Sequence, residues 1–149
     1  MRDILLGQIK HAMKAGEKVR VGALRLIMSS LKDKEIEMRG SGKIVSRADE
    51  LALLTKMVKS RQESLGIYEA AGRRDLAEQE RAEIAVISEF LPKQMDESGI
   101  HAAVEAAIAQ TGAASIKDMS KVVTALKEAY AGQMDFAKAS SLVKTRLAV

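Results

Sequence analysis

A single proline, Pro92, stands in a chain of 149 residues. Proline removes a backbone donor and disfavours helical geometry at the residue before it, so Leu91-Pro92 marks a break while long helices are free to form on either side. On both sides apolar residues recur at helical spacing, with no sustained strand-like alternation, and the expected fold class is all-α. Apolar residues make up 47% of the chain, enough for a real core in one domain or two small ones. That mass is Ala, Leu, Ile, Val and Met, with only two Tyr, two Phe and no Trp, a mixture suited to close-packed helices.

Four helices are expected before the proline. Asp3 is placed to cap the first, whose apolar positions Ile4, Leu5, Ile9, Ala12 and Met13 recur at helical spacing, with Gly16 available to end it. The second carries Val21, Leu24, Ile27, Met28 and Leu31 on one stripe and Lys32, Lys34, Glu35 and Arg39 opposite, until Gly40-Ser41-Gly42 breaks it. Ser46 and Asp49 form a capping-box start for the third, which runs through Leu51, Leu54, Val58, Leu65 and Tyr68 to Gly72. Asp75 and Glu78 repeat that arrangement for the fourth, which runs to Leu91. Leu91-Pro92-Lys93-Gln94-Met95 then reads as a linker.

Three shorter helices are expected beyond it: Asp96 to Thr111, Ser115 to Ala131 with Ser115 and Asp118 as another box, and Asp135 to about Leu147. Their stripes are Ile100, Val104 and Ile108; Met119, Val122, Val123, Leu126 and Tyr130; and Phe136, Ala139, Leu142, Val143 and Leu147. No one of these can hide its stripe alone, which predicts a three-helix bundle. The expected domains are therefore 1–92 and 96–149.

The net charge of +4 is unevenly spread. Met1 to Gln62 holds 14 Lys and Arg against 7 Asp and Glu, Glu63 to Met95 holds 4 against 7, and Asp96 to Val149 holds 6 of each. The basic excess is N-terminal, open to reading as a solvated face or a nucleic-acid footprint. The chain has no cysteine, which excludes disulfides, thiolate nucleophiles and Cys-ligated zinc. No apolar run approaches the roughly 20 residues of a membrane span, and the N-terminus soon turns polar. No membrane association and a cytoplasmic location are expected.

The residues offer little for catalysis. Gly40-Ser41-Gly42-Lys43 lacks the spacing of a phosphate loop and lies between helices, so it reads as a turn. His11 and His101 have no motif around them, and no serine is accompanied by a base and an orienter. Glu78, Glu80, Glu83 and Glu89 lack the histidines a di-metal bundle adds, which favours ion pairs or hydration. No catalytic residue, metal ligand or cofactor is expected.

Arg61-Gln62-Glu63-Ser64-Leu65, Tyr68, Ala71-Gly72-Arg73, Asp75-Leu76-Ala77, Glu80, Glu83 and Phe90-Leu91-Pro92-Lys93-Gln94-Met95 together resemble the YqeY family. Leu24-Arg25, Ser29, Lys32 and Asp118-Met119-Ser120-Lys121-Val122-Val123 with Leu126 extend the likeness over essentially the whole chain. The resemblance implies an N-terminal helical domain joined to a three-helix domain like the tail of GatB, a subunit of the glutamine-dependent tRNA amidotransferase. In that enzyme the tail resembles a tRNA-holding module, and the amidase and ATP-using parts lie elsewhere. Two departures stand out: Ser120 replaces a usual family glycine, and Ala137 lies near a second.

The expected function is an accessory or tRNA-binding module, with contacts at Ser120, Lys121, Lys138 and Lys144 and on the N-terminal basic faces. The resemblance associates it with amidotransferase subunits as partners. Two alternatives remain: carbon–nitrogen ligase activity with glutamine as nitrogen donor, against which the missing sites argue, and a helical protein-interaction domain without an RNA role.

Overall fold

The computed structural model describes residues 1–148. Among them are seven α-helices, one 3-10 turn and no strand. The helices are α1 (Arg2–Lys14), α2 (Lys18–Gly40), α3 (Arg47–Ala70), α4 (Arg74–Ser88), α5 (Glu97–Thr111), α6 (Met119–Ala129) and α7 (Phe136–Leu147), with the 3-10 turn at Ile116–Asp118. Contacts cluster into two units, the first Met1–Leu91 and the second beginning at Pro92.

In the first unit α3 and α4 form an antiparallel hairpin and α2 packs against α1, α3 and α4. Leu5, Leu24, Ile27, Leu54 and Ile87 are fully buried at its centre. Each such side chain contributes about 1.5–3 kcal/mol relative to leaving it in water. The α2 stripe lies inward as its spacing predicts, whereas α1 differs. Leu5 and Ala12 are buried, but Ile4 and Met13 are 59% and 55% exposed. Because α1 packs chiefly on α2, only a narrow strip of its surface is covered.

The caps divide the expectations. Ser46 accepts from the Asp49 amide at 3.1 Å, and Asp49 accepts from the Ser46 amide at 2.9 Å, so the box at the start of α3 is closed. Asp3 instead lies inside the first turn of α1, which begins after Met1 without a side-chain cap. Asp75 is likewise not a cap. The Arg73 amide donates to Tyr68 and Gly72 adopts φ of +70°, a left-handed turn that starts α4 early, at Arg74. Asp75 is thereby left inside the helix, paired to Arg73 at 3.3 Å.

In the second unit α5, α6 and α7 pack pairwise around Ile100, Val104, Val122, Leu126, Ala139, Val143 and Leu147. Asp96 caps α5 through the Gly99 amide at 2.7 Å, and Gly112 closes it in the left-handed conformation. The helix expected from Ser115 begins later. Asp118 accepts from the amides of Ala114 and Ser115, and its own amide bonds the Ser115 carbonyl at 2.9 Å, tightening that stretch into a 3-10 turn before α6. Gln94 and Met95, expected in the linker, are tied into this unit. Gln94 donates to the Gly132 carbonyl at 2.6 Å, and the Met95 amide to Gln133 at 2.8 Å. Met134, in the α6–α7 connection and outside any periodic stripe, is only 1% exposed.

Candidate nucleic-acid interface

Ser120 and Lys121 occupy the first turn of α6, and Lys138 and Lys144 lie on α7; all four are exposed. Lys138 stands at a shallow cleft of about 320 Å³ between α5 and α7, with Ile100 and Leu142 as its apolar lining and Glu97, His101 and Thr145 beside it. Lys144 follows six residues later, about 240° further round the helix at 100° per residue, so the two lysines do not share a face. Lys127, which was not among the expected contacts, is exposed seven residues after Ser120 and returns to the same side of α6. Its helical spacing is the signal that could have found it.

The second unit holds seven Lys and Arg against six Asp and Glu, and its acids and bases are employed differently. Asp96 and Asp118 accept backbone amides at helix or turn starts, and Asp135 accepts the Ala137 amide at 2.9 Å where α7 begins. There the positive end of the helix dipole offsets their charge. Amide donors from Ala114 and Ser115, aided by nearby Lys121, hold the Asp118 carboxyl below its ordinary value. Glu105 is engaged by Arg146, whose second nitrogen lies 2.9 Å away; that hydrogen bond lowers the Glu105 pKa and raises that of Arg146. Lys117, Lys121, Lys127, Lys138 and Lys144 are all exposed and form no ion pair among the described residues. Of the acids, Glu97 and Glu128 are likewise exposed and form no ion pair among the described residues, so free cations outnumber free anions on this unit.

In the first unit three of the four glutamates considered for metal binding pair with arginines, and the fourth, Glu80, keeps a buried Oε2 without a hydrogen-bond partner. Glu83 pairs with Arg61 at 2.8 Å, Glu89 with Arg20 at 2.9 Å and Glu78 with Arg81. Among the described residues no three His, Cys, Asp or Glu gather as a metal site would require, and no helix is long and apolar enough to cross a membrane.

Fold and surface define an all-helical chain of two units with shallow clefts and exposed cations. The chain belongs to the YqeY family: the family model described as Yqey-like protein matches residues 2–147. It is 31% identical over 92 residues to "Altered inheritance of mitochondria protein 41, mitochondrial" of Saccharomyces cerevisiae, a match covering 60% of this chain and 47% of that protein. The protein of the same name in Candida glabrata is 35% identical over 86 residues, 56% of this chain and 45% of the relative. An uncharacterized protein of Schizosaccharomyces pombe is 26% identical over 93 residues, covering 62% and 73% respectively. The chain spans about half the length of the first two relatives.

The Saccharomyces cerevisiae and Candida glabrata relatives overturn the cytoplasmic location expected from the sequence, since both are named as mitochondrial proteins. The inference failed because a missing cysteine removes disulfide chemistry without specifying a compartment, and an early polar N-terminus is equally uninformative.

Proposed function

We propose that this YqeY-family chain is an RNA-binding accessory module, with tRNA as its ligand and no catalytic centre of its own. The observation that carries the reading is the unequal use of charge in the second unit. Four of its six acids are committed, the aspartates to backbone amides and Glu105 to Arg146, leaving Glu97 and Glu128 as the free acids among the described residues, while Lys121, Lys138 and Lys144 remain exposed and unpaired. Flexible cations of this kind suit phosphate, which needs charge and reach rather than a preorganised acid–base pair. The sequence likeness to the GatB tail supplies tRNA as the ligand class and amidotransferase subunits as the setting. Because Lys138 and Lys144 diverge around α7, contact with both requires a ligand that wraps the helix, as a folded RNA does.

Fluorescence titration of labelled tRNA at several salt concentrations tests the reading. Binding should be modest and salt-sensitive, and each of Lys121→Ala, Lys138→Ala and Lys144→Ala should lower the magnitude of the salt slope by about one, whatever the RNA sequence. Absence of binding even at low salt would refute it.

A second reading, a protein-docking surface, draws on the groove of about 650 Å³ between α2 and α4. Val19 and Leu26, 62% and 42% exposed, flank it. Val19→Ser with Leu26→Ser would then abolish capture of a protein partner while leaving tRNA titrations unchanged.

A further inference from the structure

The six cations of α2 divide into two groups. Arg20 is held by Gln8 at 2.7 Å and by Glu89, and Lys34 pairs with Glu37 at 3.3 Å. Lys18, Arg25, Lys32 and Arg39 are exposed, and none has a carboxylate partner among the described residues. The nearest polar engagement of Arg25 is a 3.7 Å contact to the Met13 sulfur.

These four are spaced seven residues apart. A seven-residue step falls about 20° short of two full turns, so all four lie within an arc of about 60°. At 1.5 Å per residue they form a track about 31 Å long with cations about 10.5 Å apart. The neighbouring positions along it, Gly22, Ser29 and Ile36, are uncharged. Gly22 is exposed, and a Cβ built there meets nothing within 4 Å, so no packing within the fold demands glycine at that point. The floor between Lys18 and Arg25 is open. Of the three α2 carboxylates, Glu35 is drawn to Arg2 at 3.4 Å and Glu37 to Lys34, while exposed Asp33 borders the track beside Lys32. The hairpin partner α1 adds exposed Lys10 and Lys14.

We infer that the Lys18–Arg25–Lys32–Arg39 face of α2 is a second polyanion-binding site, a linear track that grips the phosphate backbone of RNA. The inference takes its ligand class from the proposed function but not its location, which lies in the other unit from Lys121, Lys138 and Lys144. A regular line of cations without a fixed acceptor geometry binds backbone and ignores sequence.

The test compares wild type with Lys18→Ala/Arg25→Ala/Lys32→Ala/Arg39→Ala and with a variant that removes four cations elsewhere in the same unit, Lys34→Ala/Lys43→Ala/Arg47→Ala/Lys56→Ala. Alanine favours helix at the α2 positions, and circular dichroism verifies the fold. Whole tRNA is titrated across a salt series, with phosphatidylserine vesicles as a second probe. The track variant should lose about three to four units of salt slope and the matched variant about one or less. Equal losses in the two variants, with wild-type binding intact, would overturn the track and leave the RNA reading standing. Failure of the wild type to bind tRNA at all overturns both. Vesicle binding that depends on the track, with tRNA binding that does not, replaces RNA by an anionic membrane as the occupant and also overturns the inference.

Discussion

Arg61 on α3 donates through Nε to Glu83 on α4 at 2.8 Å, and the side chains are only 17% and 13% exposed. Arg61 also reaches the Met57 carbonyl at 3.1 Å, and Gln79 donates to the other Glu83 oxygen at 3.3 Å. The pair fastens the α3–α4 hairpin, and removing one partner strands the other charge in a poorly solvated place. Arg61→Ala should therefore destabilise the chain by about 2 kcal/mol, toward the low end for shielded pairs because some solvent reaches both groups. Denaturant unfolding measures it, and a change within experimental scatter would assign the pair no structural role.

Cavity-forming substitutions separate the two units. Leu54→Ala empties space in the first core and Leu126→Ala in the second, at a cost of about 2–5 kcal/mol each. Amide hydrogen exchange should show Leu126→Ala weakening protection after Pro92 and sparing the buried part of α2. Uniform weakening across both units would mean that they unfold as one.

Gly66 sits inside α3, exposed, and a Cβ added there would meet nothing within 4 Å. Gly66→Ala should stabilise the chain by about 0.5–1 kcal/mol, since alanine loses less backbone freedom and meets no neighbour. A rise in the denaturation midpoint is expected, and a fall would indicate a neighbour at that face.

Acid should loosen the capped start of α3 and the 3-10 turn before α6 in a defined direction. The Ser46 amide and hydroxyl lower the pKa of Asp49, and the amides of Ala114 and Ser115 that of Asp118, both from an ordinary 3.8. The unfolded chain takes up these protons first as pH falls. The stabilisation is thus complete above the ordinary value and is lost as pH drops through the lower folded values. Denaturation midpoints between about pH 6 and pH 2.5 follow it, and Asp49→Asn/Asp118→Asn should flatten the acid limb. An unchanged limb would show that the caps carry no charge-dependent stabilisation.

Helical class was legible because apolar spacing and a lone proline act locally, and Leu24, Ile27, Val104 and Leu126 lie inward as their periodicity requires. Ile4 and Met13 share such spacing yet are exposed, because periodicity reports which face is apolar, not how many neighbours cover it. Asp75 was misplaced because the turn at Gly72 decides where α4 starts, and Met134 is buried by a loop that no period describes. At the candidate interface, residue types pointed to Lys121, Lys138 and Lys144. That Arg146 is neutralised by Glu105, and that α2 leaves four cations unpaired, depends on contacts between distant residues.

Ultraviolet crosslinking of RNA to the chain in living cells, with sequencing of the RNA and mass spectrometry of the crosslinked peptides, tests the central claim most directly. The account predicts enrichment of tRNA over other small RNAs, with crosslinks in peptides from α6, α7 and α2 that disappear when their lysines and arginines are replaced. Recovery of no RNA above that of an uncrosslinked control, from a chain that folds and accumulates normally, would contradict it.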